Sequence, residues 1–214
     1  MIDKLIKYYS KTNSNVAIHA APGHFVTMHS HINYYIDLTS LKTRLNEAEG
    51  VAEVIANAYS PNTTIVDTIV CMDGTEVIGA CLAREFRKRG FYNNNLHETI
   101  YVVSPEYNSQ NQMIFRDNNL MSIKGKNIIL LLATTTTGET IRRAVECIDF
   151  YGGILQGISS LFSIVDKVDG HHINHVLNHE DLPGYHAWPR NECPLCQKGF
   201  KVEAIVNGYG FSKL

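Results

Sequence analysis

The chain has 214 residues, 44% hydrophobic and 19% charged, with 19 basic and 21 acidic side chains; it has enough apolar material for one sizeable core, which argues against disorder, and it lacks the positive excess that a nucleic-acid partner favours. No apolar run has the length of a membrane span, and the start, MIDKLIKYYSK, lacks a signal-peptide core, so we expect no membrane partner and a cytoplasmic location. Five cysteines, with Cys71, Cys81 and Cys147 in apolar surroundings, fit reduced thiols better than a disulfide framework.

In chain order, Ile2, Leu5, Ile6 and Tyr9 recur at helical spacing and predict a short helix over Met1 to Tyr9. Gly23 to Leu41 alternates through His31, Asn33, Tyr35 and Asp37 and predicts β-structure, in which His24, His29 and His31 are structural residues without a chemical role. Thr39 or Ser40 caps a helix running to Tyr59, with Leu41, Leu45, Ala48, Ala52, Ile55 and Ala58 on one face. A buried strand follows at Ile65 to Met72, then the turn Asp73-Gly74-Thr75 and a helix from about Glu76 to Lys88. Thr99 to Ser104 is another buried strand. The polar stretch from Pro105 to Asn119 predicts a mobile excursion or hairpin near the binding rim.

Asn127 to Ile148 organises the rest. The apolar run Ile128 to Leu132 leads through Thr134, Thr135, Thr136, Thr137 and Gly138 into a helix whose Ile141, Ala144, Val145 and Ile148 share a face. A small, hydroxylated, glycine-containing turn between a buried strand and a helix gathers amide N–H groups at the positive end of the helix, a natural seat for phosphate. Arg142 and Arg143, one turn into that helix, fit phosphate contact, solvent exposure or a dimer contact equally. Ile154 to Val165 is a further strand. Strands alternating with helices predict an α/β fold, a parallel sheet flanked by helices, with ligands beyond the carboxyl ends of the strands.

The tail carries a second signal. Cys193 and Cys196 form a CxxC pair, and His175 and His179, spaced i and i+4, present imidazoles from one helical face; together they make a candidate tetrahedral Zn²⁺ site, with free thiols and surface histidines as the alternative. Trp188 is expected to pack the tail, and KVEAIVNGYGFSKL to form a closing strand.

Several of these segments together resemble the orotate phosphoribosyltransferases. GHFVTMHSHINYYIDL is similar to that family's N-terminal segment, and the similarity continues through Asp73-Gly74-Thr75, through Met113-Ile114-Phe115-Arg116, and most specifically through IILLLATTTTGET, from about Gly23 to Gly199 in all. The resemblance implies a type I phosphoribosyltransferase fold in a single domain, 1–214, with the core over about 41–166 and a small hood and tail from 1–40 and 167–214. It also implies a homodimer, a phosphorylated ribose or nucleotide ligand, and Mg²⁺-assisted transfer of ribose 5-phosphate from phosphoribosyl pyrophosphate to a base. By the same analogy Thr134, Thr135, Thr136, Thr137, Gly138, Glu139 and Thr140 hold the phosphate, Asp73, Gly74 and Thr75 form the pyrophosphate turn, and Arg116 is a loop contact.

The departures are as informative. Where the family has two consecutive acids before the Thr-Thr-Gly loop, this chain has Leu132 and Ala133. An apolar pair neither grips ribose hydroxyls nor places negative charge beside a developing oxocarbenium ion. Tyr107 and Gln112 stand where the family's mobile loop carries Arg and Lys, Asp117 follows Arg116 in place of a basic residue, and Ser163-Ile164 replaces an Asp-Arg pair. The expectation is a phosphate-binding or regulatory member without transfer; the alternative is an active transferase with acids from elsewhere, namely Asp73, Glu76, Glu106 or Glu139.

Overall fold

The computed structural model describes residues 5–11, 16–110 and 112–214. Met1 to Lys4, part of the expected first helix, and Asn111 in the polar stretch lie outside them. The described end of that first helix is instead a strand, β1 (Ile6–Tyr9), paired antiparallel with β2 (Ala17–Val26). Ile-Lys-Tyr-Tyr is β-branched and aromatic, and a segment this short satisfies both periodicities until a partner strand decides between them.

β2 turns at Thr27–Ser30 into β3 (His31–Asp37), its antiparallel neighbour, with an irregularity between Pro22 and Phe25. The expected single helix to Tyr59 is two, α1 (Thr39–Thr43) and α2 (Leu45–Asn57), separated by Arg44 in extended backbone at φ −102°, ψ 127°. The break leaves Leu45 57% exposed, although the helical pattern placed it inside. Just before the break, the buried Lys42 of α1 points inward to the carbonyls of Asp73 and Gly208.

β4 (Thr68–Cys71) and α3 (Glu76–Lys88) follow, then β5 (Tyr101–Val103). The polar stretch closes as a small antiparallel hairpin of β6 (Glu106–Tyr107) and β7 (Met113–Ile114). Next come β8 (Asn127–Thr135), α4 (Glu139–Phe150) and β9 (Ile154–Ser163). The sheet runs past residue 166: β10 (Lys167–Val168) turns into β11 (His171–Asn178), which lies parallel to β9. The core sheet therefore has the order β10-β11-β9-β8-β4-β5, parallel except for β10.

β8 shows how the sequence builds the layers. Its alternate residues serve two cores: Ile129, Leu131 and Ala133 pack with α2, α3 and the hood, while Ile128, Leu130 and Leu132 pack with Ile141, Ala144 and Ile148 of α4. A strand buried on both faces reads as a continuous apolar run, and each residue takes its side by the period of two.

The hood is a full sheet of both chain ends. β12 (Ala187–Trp188) pairs with β3, and the tail closes as a hairpin of two strands rather than one, β13 (Ala204–Asn207) and β14 (Gly210–Lys213), with β13 parallel to the end of β2. Trp188 stacks on His186 at 5.5 Å. A short helix, α5 (Pro194–Gln197), carries the CxxC pair. No helix among the described residues is long and apolar enough to cross a membrane.

Candidate functional site

A cavity of about 280 Å³ opens where the carboxyl ends of the core strands meet the hood. Thr134 to Thr140 line it without interruption. Gly138 makes the turn: it caps α4 at φ +78°, and a Cβ there would stand 2.4 Å from Val168. Only glycine adopts that backbone without strain and lets the loop approach β10 so closely. Not every threonine stays available to a ligand. Thr135 Oγ1 donates to Ser160 Oγ at 3.2 Å, whereas Thr137 is exposed at the loop tip.

Glu139, whose carboxylate opposes an anion, also lines the cavity, and its charge is shared. Its Oε1 accepts from Arg143 Nε at 3.4 Å, and its Oε2 lies 3.6 Å from Arg142 Nη1. Arg142 turns outward to Asp169 at 2.9 Å; Arg143 lines the cavity and is its arginine. The i,i+4 pairing therefore holds Arg143 at the cavity wall and offsets the carboxylate.

Of the expected pyrophosphate turn, only Asp73 lines the cavity. Asp73 is left-handed at φ 56° and Gly74 at φ 78°; Gly74 lies under the Tyr209 ring, and the buried Thr75 donates its hydroxyl to the Met72 carbonyl at 2.9 Å. Arg116 does not line the cavity. It faces Glu106 across the β6–β7 hairpin at 2.8 Å, both side chains exposed. The hairpin does reach the rim, through Tyr107 and Met113.

Two stretches that sequence reasoning left out complete the walls: Thr27, Met28 and His29 from the β2–β3 turn, and Asn207, Gly208 and Tyr209 from the β13–β14 turn. Asn207-Gly208 is a local hairpin-turn signal that could have marked the second as a turn, but neither stretch announces its place at the cavity, which exists only once the hood has closed over the core. The seam is tight, since a Cβ on Gly208 would stand 2.4 Å from Asp73 Cβ. Lys42 Nζ donates to the Asp73 carbonyl at 3.0 Å and to that of Gly208, joining core to hood.

Burial raises the Asp73 pKa above the ordinary carboxylate range, against the opposing pull of Lys42 and a backbone hydrogen bond from Ala133. Burial also lowers that of Lys42. Among the four acids considered as replacements for the missing pair, Asp73 and Glu139 line the cavity, while Glu76 accepts from Ser104 at 2.7 Å and Glu106 is held by Arg116. A raised carboxyl favours the fold below its unfolded pKa, and that contribution is lost as pH rises through the folded value. Asp73→Asn, which keeps an acceptor for Ala133 and tolerates positive φ, is therefore expected to gain stability relative to the parent as pH rises from acid to neutral. Urea unfolding over a pH series checks this; a stability difference independent of pH would remove the burial argument.

The two positions where the resemblance implies acids lie in the cores. Leu132 and Ala133 are both fully buried, on opposite faces of β8 in the two cores, so their side chains face neither the cavity nor water.

The tail gathers a different constellation from the expected one. His175 lies in a strand, not on a helix, with Nε2 3.4 Å from Asp166, and His179 stands in the turn after it. The donors that converge are His24, His31, Cys193 and Cys196, whose ligand atoms lie within 4.8 Å of one another, a cluster that could hold a metal ion. The two histidines given no chemical role are thus the partners of the CxxC pair. His31 is held below the ordinary imidazole pKa by burial, then by His24 and Arg190, which favours the neutral, ligating form.

No protein-family model matches the chain. It is 24% identical over 189 residues to an orotate phosphoribosyltransferase of Thermus thermophilus, covering 86% of this chain and 92% of that relative. Among solved structures, an orotate phosphoribosyltransferase of Mycobacterium tuberculosis H37Rv matches with a TM-score of 0.52 and 14% identity, over 78% of this chain and 93% of that one. An adenine phosphoribosyltransferase of Trypanosoma brucei, solved with AMP, pyrophosphate and ribose-5-phosphate, matches with a TM-score of 0.52 and 12% identity, over 83% and 87%. The fold is that of the type I phosphoribosyltransferases, and the similarity in sequence supports the resemblance to the orotate enzymes along most of the chain.

Proposed function

We propose that this orotate-phosphoribosyltransferase-like chain binds the phosphate of a phosphorylated ribose or nucleotide in its Thr134–Thr140 loop and does not transfer the ribose. One observation carries the reading: the whole loop lines the cavity, while the two positions before it, acidic in the family, are apolar and buried in the cores. Anion recognition survives there through amide groups, hydroxyls and Arg143 at the start of α4. What is lost is the paired negative charge that steadies a cationic transition state, and contacts of that kind are worth orders of magnitude in rate.

The alternative, an active transferase using Mg²⁺, has Asp73 as its best acid. Asp73 lines the cavity and accepts a hydrogen bond from the backbone of Ala133, beside the vacated pair. Burial favours its neutral form, which weakens it as a metal ligand. Zn²⁺ belongs to the hood in this reading, with the four-donor cluster as its support, and a homodimer is part of it by family resemblance.

Calorimetric titration with ribose 5-phosphate, orotidine monophosphate and phosphoribosyl pyrophosphate, with and without Mg²⁺, decides between the two. Binding of the simple phosphates without a metal requirement, and no pyrophosphate release with orotate, is the expected result. Tight Mg²⁺-dependent binding of phosphoribosyl pyrophosphate followed by turnover would establish the transferase instead.

A further inference from the structure

His24, near the end of β2, and His31, the first residue of β3, flank the Thr27–Ser30 turn; Cys193 caps α5, and Cys196 lies in that helix. His24 Nε2 lies 3.0 Å from His31 Nδ1 and 3.6 Å from each sulfur, and Cys196 Sγ lies 3.3 Å from His31 Nδ1. Tetrahedral Zn²⁺, with bonds of about 2.0–2.1 Å to nitrogen and about 2.3 Å to sulfur, separates its donors by about 3.3–3.8 Å. These four spacings differ from that figure by a few tenths of an ångström, and the other two, from Cys193 to His31 and to Cys196, lie within 4.8 Å.

The protonation pattern points the same way. His24 Nδ1 lies 3.0 Å from the Phe200 carbonyl, which fixes its proton there and leaves Nε2 bare toward the cluster. This is the outer hydrogen bond that orients a metal-bound imidazole. A bare Nε2, a second imidazole nitrogen and two sulfurs then share one small space, and His24, His31 and Cys193 are buried. A cation satisfies all four at once. Two sulfurs and two nitrogens select Zn²⁺, and four protein ligands leave no open position, the mark of a structural site.

We infer that His24, His31, Cys193 and Cys196 form a structural Zn²⁺ centre that holds both hood lips of the cavity. One lip, Thr27 to His29, lies between the two histidine ligands. The other, Asn207 to Tyr209, follows from the second: after Phe200, whose carbonyl meets His24, Glu203 N donates to the His24 carbonyl at 2.8 Å, and β13 then runs beside β2 to the cavity. The centre thus joins β2, β3 and the tail where their continuations form the walls. What those walls enclose rests on the proposed phosphate site; the metal centre does not.

The test uses the full-length protein, purified reducing and without added metal, as isolated, after chelation, and after refilling with Co²⁺. We expect bound zinc as isolated, thiolate-to-Co²⁺ charge-transfer absorption after refilling, and faster amide exchange over 27–30 and 204–210 after chelation. Cys196→Ser, at the exposed ligand, is expected to weaken metal retention by more than roughly tenfold. The double variant H175A/H179A is expected to retain zinc unchanged. Absence of zinc together with failure to take up Co²⁺, or a Cys193–Cys196 disulfide in the native protein, overturns the centre. Bound zinc with lip exchange unchanged by chelation overturns its role at the cavity. Failure of ribose 5-phosphate to bind zinc-loaded protein counts against the phosphate reading alone, since the metal and exchange results stand without it.

Discussion

The double variant L132E/A133D, which rebuilds the family's acidic pair, is expected to unfold the protein rather than to create a transferase. Both side chains are fully buried, Leu132 against α4 with Ile128 and Leu130, and Ala133 among the residues packed with α2 and α3. A carboxylate placed in either core meets no partner, and its burial costs several kcal/mol or leaves the group protonated. Leu132→Glu also removes a packed side chain and Ala133→Asp adds volume where none is free. The combined cost is of the order of the entire stability of a domain, about 5–15 kcal/mol. The urea midpoint and near-UV circular dichroism measure it. A soluble, cooperatively folded variant with the parent's midpoint would mean that these positions reach the cavity, and the argument against transfer would lose its basis.

Gly138→Ala carries the second large effect, on both stability and binding. The residue sits at φ +78°, where an L side chain is strained by about 1–2 kcal/mol, and its Cβ would come 2.4 Å from Val168. Overpacking of that kind adds about 1–3 kcal/mol. The loop has two ways to relieve it, shifting off β10 or leaving the left-handed conformation, and each re-aims the amide groups at the head of α4. Ribose 5-phosphate binding is therefore expected to be lost along with stability. The pair G138A/V168A separates the causes, since it removes the contact and keeps the strained φ. Partial recovery of the thermal midpoint without recovery of binding is the expected outcome; unchanged affinity in Gly138→Ala would detach the loop from phosphate recognition.

What the sequence made legible was local. The β8–α4 unit reads directly, because an apolar run, a hydroxylated turn and a helical stripe are each complete within a few residues, and α3 falls on Glu76 to Lys88 as its pattern predicts. The hood read only in pieces, as β-structure after Gly23, a closing strand in the tail and, by resemblance, a small hood of terminal segments; its pairing did not read, because its contacts join distant parts of the chain. His24 and His31 look like ordinary strand histidines until Cys193 and Cys196 are brought beside them from about 170 positions away. His175 and His179 misled for the same reason, since i,i+4 spacing suggests a helix, whereas β11 is fixed by pairing with β9. The break at Arg44 has no Gly or Pro to announce it, and Lys42, two residues before it, reaches two carbonyls across the seam that no local pattern shows.

The hood sheet also bears on when the protein becomes able to bind anything. β13 lies along the edge of β2, and just before it Glu203 accepts a hydrogen bond from the His24 amide across 179 positions. During synthesis β2 and β3 emerge before the parallel core from β4 to β11, whose neighbours are close in sequence, yet β2 meets β13 only after that core has been made. Joining such distant segments carries the largest loop-closure cost and belongs to the late part of folding. The cavity, two of whose walls come from that closure, is therefore complete only once β13 has joined β2. A chain cut short of Ala204 keeps the phosphate loop and loses β13 together with the wall formed by Asn207, Gly208 and Tyr209, so enclosure of the ligand and recognition of its phosphate are separable properties of this fold.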